Sequence, residues 1–204
     1  TGGDGVLDHK KLLHASKGGV GHGRNDLALG ADQKIYAIHG DSVHLPEGIP
    51  DRTSPLRRKY NPFLQNEGHV IRMNPDGTNL EIFCGGLRNP YGIDFNTDGE
   101  AFTYDADAEF DMGTPWYRPT QVKHLTSGAD FGWRAVTGSW PPYFPDHPDN
   151  TQAAIDIGKG SPTGVKFGTR SHFPVDYQRA LYLLDWTYGP VSYTHLTLPT
   201  NREV

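Results

Sequence analysis

The chain has 204 residues, a formal net charge of −5 at neutral pH, 25 glycines, 16 prolines and 35% hydrophobic residues. That length allows one domain with a substantial core, and a Gly-, Pro- and aromatic-rich composition favours many short strands over long helices. The acidic balance, relieved only by the basic cluster Arg57-Arg58-Lys59, argues against a nucleic-acid surface. No apolar run approaches membrane-spanning length, and a single cysteine, Cys84, rules out an internal disulfide framework. The chain opens on Thr1, which leaves room for a secretory leader upstream and reads as a segment of a longer protein.

In chain order, a short amphipathic piece (6–14) is followed by glycine-rich residues 18–21 and a polar loop, Gly-His-Gly-Arg-Asn-Asp, over 21–26. Two strand-like runs, 27–29 and 35–38, then flank the turn Gly30-Ala31-Asp32-Gln33. Residues 68–73 and 80–83 form a clean hairpin about Asn74-Pro75-Asp76-Gly77. After the punctuated loop Leu87-Arg88-Asn89-Pro90-Tyr91-Gly92, strands 93–95 and 101–104 flank the turn Asn96-Thr97-Asp98-Gly99. A rougher hairpin is expected from 121–125 and 132–136, and strands from 165–167 and 180–186. Residues 44–67 and 138–162 are long polar insertions, either functional loops or surface decoration.

The segment LALGADQKIY (27–36) recurs as IDFNTDGEAF (93–102), 66 residues later, and a weaker copy begins at Val165. Each copy is a two-stranded unit unable to bury both faces alone, so stacked repeats are implied. With the intervening hairpins, four strands per repeat describe a propeller blade. The expected fold is all-β, a partial β-propeller of about three blades with long loop insertions, over residues 1–190. Residues 191–204 (VSYTHLTLPTNREV) break the register and read as a non-native read-through tail, the alternative being an ordinary C-terminal strand.

Two groups of side chains carry candidate chemistry. Asp105, Asp107, Glu109 and Asp111 stand at alternate positions, so in an extended chain they share one face, roughly 6–7 Å apart. Such an oxygen-rich row suits calcium, or forms a solvated rim paired with Arg88, Arg118 or Lys123. Trp116, Tyr117, Trp133, Trp140, Tyr143 and Phe144 are candidates for stacking on a sugar, with inter-blade packing the stronger expectation for Trp133. The histidines show no zinc-ligand spacing, and no P-loop, dinucleotide or nucleophile-elbow motif occurs.

The segments GADQKIYAIHGD (30–41), GGLRNPYGIDFNTDGE (85–100) and SGADFGWRAVTG (127–138) resemble the glucose/sorbosone dehydrogenase family, six-bladed propellers that include soluble PQQ-dependent sugar dehydrogenases. The similarity runs over roughly residues 20–187 and is nearest to propeller domains of large bacterial extracytoplasmic proteins carrying c-type cytochrome domains. It implies oxidation of a sugar or other alcohol with PQQ (pyrroloquinoline quinone) and calcium, in the periplasm or outside the cell. A c-type cytochrome in the parent chain is the implied electron acceptor; this chain has no Cys-x-x-Cys-His of its own. By the same resemblance His22 is the general base, Arg88 the electrostatic partner over the quinone, and Asn89 a cofactor contact, with Lys166 and Arg170 as candidates for the cofactor's carboxylates. The family's Gly-Pro calcium segment is replaced here by Tyr104-Asp105-Ala106-Asp107-Ala108-Glu109, which leaves calcium to carboxylates. From the residues alone, His22 also reads as an exposed loop histidine and Arg88 as a salt-bridge partner of Asp105 or Asp107. A second functional reading is a non-catalytic propeller that binds carbohydrate or a protein partner and holds structural calcium.

Overall fold

The expected turns nucleate the sheets. In the computed structural model, Asn96 closes its turn through Asn96 N–Glu100 O (3.0 Å) and Gly99 N–Asn96 O (3.1 Å), while its side-chain oxygen accepts the N–H groups of Asp98 and Glu100. The preceding hairpin closes with the same backbone pattern, Asn74 N–Thr78 O and Gly77 N–Asn74 O, with Asp76 Oδ1 accepting Thr78 N–H. The structure describes residues 3–53, 67–133 and 150–187, and the backbone of 191–194.

Strands β1 (Arg24–Leu29), β2 (Ile35–His39), β3 (Gly68–Met73) and β4 (Glu81–Leu87) form one antiparallel meander. Strands β5 (Tyr91–Phe95), β6 (Ala101–Asp105), β7 (Thr120–Leu125) and β8 (Ile155–Gly158) form a second. A third sheet holds β9 (Pro162–Phe167), β10 (Leu181–Asp185) and β11 (Val191–Thr194), with one turn of helix, α1 (Val175–Gln178), between β9 and β10. The first strands adjoin, β1 against β5 and β5 against β9, as the inner strands of neighbouring blades do. Aspartate side chains fix them there: Asp26 Oδ2 accepts Ile93 N–H at 3.1 Å, and Asp94 Oδ2 accepts Phe167 N–H at 2.7 Å. The chain is thus a partial β-propeller of three blades.

Strand alternation explains the packing. One face of the second blade presents Ile93, Ala101 and Leu125 to Tyr36, Ile38, Val70 and Leu87 of the first. Its other face presents Phe102, Tyr104 and Val122 to Val165, Phe167, Leu181 and Leu183 of the third. Every residue of β6 is buried because the blade is covered on both sides. Burying a side chain such as Phe102 contributes roughly 1.5–3 kcal/mol over leaving it in water.

One expectation changes. The fourth strand of the second blade is Ile155–Gly158 and not 132–136: residues 129–133 instead run beside Gly85 and Gly86, and residues 134–136 lie outside those described. Val191–Thr194, the start of the segment read as a tail, pairs antiparallel with Leu181–Leu184. Residues 195–204, the cluster Arg57-Arg58-Lys59, and Trp140, Tyr143 and Phe144 also lie outside the described residues.

A buried histidine pair sits in the first blade. His39 and His69 face each other across β2 and β3, rings 4.8 Å apart, with His39 only 4% exposed and its Nδ1 without a hydrogen-bond partner among the described residues. Burial, reinforced by the charge of His69, pushes His39 down from the usual histidine range to about 3. The unfolded chain therefore binds a proton near pH 6.5 that the folded chain refuses, so the stability held above that pH is lost as pH falls from 6.5 towards 3. Denaturant titrations are expected to show about 2 kcal/mol less stability at pH 5 than at pH 7 from this residue. His39→Gln should flatten that dependence; an unchanged slope would refute the assignment.

Candidate active site

The hairpin register builds the site. Arg24 pairs with His39, so two positions further out His22 stands opposite Asp41. The strand exit is tight: a Cβ on Gly40 would lie 2.7 Å from the His22 carbonyl carbon and oxygen, so only glycine lets the two segments approach. Backbone bonds Gly40 N–Gly23 O (2.8 Å) and Ser42 N–His22 O (3.0 Å) lock them together. The result is a histidine–carboxylate dyad in which His22 Nδ1 lies 2.6 Å from Asp41 Oδ1. A carboxylate only accepts, so Nδ1 carries the proton, and in the neutral imidazole Nε2 is the nitrogen with the lone pair. The imidazole is 31% exposed, and Asp41 lies largely beneath it at 11%.

The equivalent loop of the second blade supplies Arg88, 66 residues after His22. Asp41 N–H donates to the Arg88 carbonyl at 2.7 Å, tying the two loops together. The guanidinium is 7% exposed, pairs through Nη2 with Glu109 Oε2 at 2.7 Å, and lies 5.5 Å from the Trp133 ring centre and 6.0 Å from that of Phe110. Trp133 closes the group, its Nε1–H donating to Asp41 Oδ2 at 2.6 Å. His22 and Arg88 therefore open at the same end of the inner strands, linked through Asp41 and Trp133. Asn89 is beside them, its Oδ1 accepting Asn25 Nδ2–H at 2.9 Å.

The carboxylate row does not form. Strand β6 ends at Asp105, and the chain turns through Ala106–Ala108 into a 3-10 turn, Glu109–Asp111, so the two-residue alternation is lost. Each acid takes its own partner. Asp105 is buried and accepts the N–H groups of Arg88, Asn89 and Ala106. Asp107 accepts Tyr117 Oη–H at 2.5 Å, Glu109 pairs with Arg88, and Asp111 accepts Trp116 Nε1–H at 3.2 Å. Burial pushes the Asp105 and Asp107 carboxyls up. Among the described residues no group of three or more His, Cys, Asp or Glu side chains is placed to hold a metal ion.

Lys166 and Arg170 also fall elsewhere. Both sit beyond the middle of β9, towards its connection to β10 and away from the His22 end, and Lys166 Nζ is bound to Asp94 Oδ1 at 2.9 Å. The expected Arg88 salt bridge to Asp105 or Asp107 is made to Glu109 instead, while Asp105 holds the Arg88 backbone. Asp41 was assigned no role from the sequence, and Trp133 was read as a sugar-stacking or inter-blade packing residue and not as a partner of Asp41. Beside Tyr117 a cleft of about 330 Å³ is lined by Trp116, Arg118, Gln121 and Asp156 among others, with Trp116 49% exposed at its edge.

Comparison with solved structures bears on the fold. An aldose sugar dehydrogenase from Streptomyces coelicolor, solved in its PQQ-bound form, is 17% identical with a TM-score of 0.52, covering 79% of this chain and 42% of its own. Two structures described as glucose dehydrogenase match with TM-scores of 0.66 and 0.52, at 14% and 15% identity, covering 95% and 78% of this chain. The chain spans 57% and 46% of their lengths, and at these identities the likeness is one of fold. No curated protein matches the sequence significantly. A family model matches residues 1–128, more than half of the chain, so the protein belongs to the family described as Domain of unknown function (DUF7133).

Proposed function

We propose that this mouth oxidises the hydroxyl of a sugar or other alcohol, with PQQ as the electron acceptor. One observation carries the reading: a histidine oriented by a partly buried carboxylate and a buried arginine share a single cluster joined through Trp133. His22 Nε2 receives the hydroxyl proton as the O–H bond breaks, and Asp41 holds the ring in that tautomer and stabilises the imidazolium formed. Arg88 places positive charge at the mouth, where low exposure makes it act more strongly than in water.

The residues fit the reacting end of the cofactor. Arg88 Nε is buried without a hydrogen-bond partner among the described residues, a donor suited to a quinone oxygen, and Arg88 with His22 would flank that end. PQQ, when bound, supplies the hydride-accepting centre. The residues do not fit the expected calcium: Asp105, Asp107, Glu109 and Asp111 are committed to other partners, and no step is assigned to a metal. Lys166 is bound to Asp94 and lies towards the far end of β9, so it and Arg170 are given no cofactor contact here. The same reading places the protein in the periplasm or outside the cell, with a c-type cytochrome as acceptor.

The test is dye-linked oxidation of a panel of aldoses and simple alcohols by purified protein supplied with PQQ. Substrate-dependent dye reduction that needs PQQ is expected. A folded protein that reduces no dye with any of them refutes the reading and leaves a propeller that binds carbohydrate or protein.

A further inference from the structure

We propose that Trp133 is a positioning residue that holds the base and the arginine of this mouth in one geometry, its indole N–H anchoring the Asp41 carboxylate and its ring supporting the Arg88 guanidinium. The inference rests on the functional reading above where it names His22 the base; the contacts themselves do not.

Trp133 is 2% exposed, and its backbone is fixed independently of the site. Residues 129–133 run alongside the end of β4, with Gly85 N–Ala129 O at 3.0 Å, Phe131 N–Gly85 O at 3.0 Å and Trp133 N–Gly86 O at 2.9 Å. A Cβ on Gly86, whose φ is +73°, would lie 2.5 Å from Gly132 N and 2.6 Å from Phe131 N, so this contact requires glycine. The indole that emerges has two faces of use. Its Nε1–H donates to Asp41 Oδ2 at 2.6 Å while Asp41 Oδ1 holds His22 Nδ1, so both carboxylate oxygens are committed and the carboxylate cannot rotate away from the imidazole. Its ring lies 5.5 Å from the Arg88 guanidinium carbon, within cation–π range. Asp41 comes from the exit of the first blade's β2 and Arg88 from the loop entering the second, and one buried side chain from a third segment touches both. A rigid ring with two torsions suits that task better than a longer polar side chain, since little rotamer freedom is lost in fixing it.

The variant that separates the functions is Trp133→Phe, which keeps a ring for Arg88 and removes the N–H. Nitrogen-15 spectra of His22 in the protein without cofactor or substrate are expected to show the ring moving from the Nδ1–H tautomer towards the Nε2–H form favoured by free imidazole. With PQQ and the best aldose, kcat is expected to fall roughly ten- to hundredfold with KM within about twofold, as for loss of a hydrogen bond to a charged group. A wild-type tautomer spectrum in Trp133→Phe overturns the proposal whatever the turnover. Loss of the functional reading looks different: His22→Ala would then keep full turnover while the Trp133→Phe spectrum still reports the coupling. Should Trp133→Phe not fold, Asp41→Ala decides, because the Trp133 indole N–H then loses its acceptor and its resonance should shift; an unmoved indole overturns the proposal.

Discussion

His22→Ala is expected to lower kcat about 10²- to 10⁴-fold, the usual span for removing a positioned general base. The loss should fall on kcat and kcat/KM alike, since the group acts in proton transfer and not in holding the ground state. Stability should change little. The ring is already 31% exposed, and among the described residues its side chain makes one hydrogen bond, to an Asp41 that keeps the Trp133 N–H after the ring is gone. Asp41→Asn is the sharper companion. It preserves shape but lets the amide present N–H to Nδ1, which favours the tautomer with the proton on Nε2, where the substrate's proton has to go. Asp41→Asn should therefore lose activity by a similar order while keeping the fold. A His22→Ala protein with wild-type turnover would remove the base assignment and with it the proposed chemistry.

The positions of this dyad show how far the residues alone could lead. Strands and turns were legible because alternation and turn chemistry agree: Ile-Asp-Phe before Asn-Thr-Asp-Gly leaves little choice of conformation or facing. The 66-residue repeat carries His22 onto the position of Arg88, although both residues were assigned from the family resemblance and not from the repeat. Asp41 was within reach by the same logic. A hairpin pairing Leu29 with Ile35 and Arg24 with His39 brings residue 41 opposite residue 22, but that needs the irregularity between Arg24 and Asp26, which no local signal announces. Trp133 was expected to pack between blades. It does so, and its N–H contact to Asp41 spans 92 residues and depends on the close approach at Gly86. The carboxylate row failed because a period of two holds only while the chain stays extended. Past Asp105 the small residues Ala106 and Ala108 are buried, Tyr117 takes Asp107, and the backbone winds into a 3-10 turn. Strand β8 was hidden inside a polar insertion, where Ile-Asp-Ile-Gly gives too short a pattern to stand out.

Asp105→Ala is expected to cost about 3–5 kcal/mol of stability, as for removing one partner from a buried charge pair. The carboxylate is 1% exposed and is the acceptor for the N–H groups of Arg88 (3.3 and 3.2 Å), Asn89 (3.0 Å) and Ala106 (3.0 Å). Lys123, also 1% exposed, rests its Nζ on Gln121 Oε1 and lies 5.0 Å from the Phe131 ring centre. Burial pulls that ammonium down to about 8, and Asp105 is the strongest charge acting to hold it protonated. Alanine at 105 thus strands three backbone donors and a buried cation together. The two losses separate in a cycle: Lys123→Met alone is destabilising, but added to Asp105→Ala it should recover part of the cost, because the stranded charge goes with it. Denaturant midpoints measure the stability, and the same proteins report on function. The segment released by Asp105→Ala is the one that carries Arg88, so activity should fall further than the unfolded fraction accounts for. An Asp105→Ala protein within about 1 kcal/mol of wild type would mean that Glu109 and Trp133 alone keep Arg88 in place, and that the fully buried carboxylate at the end of β6 anchors nothing.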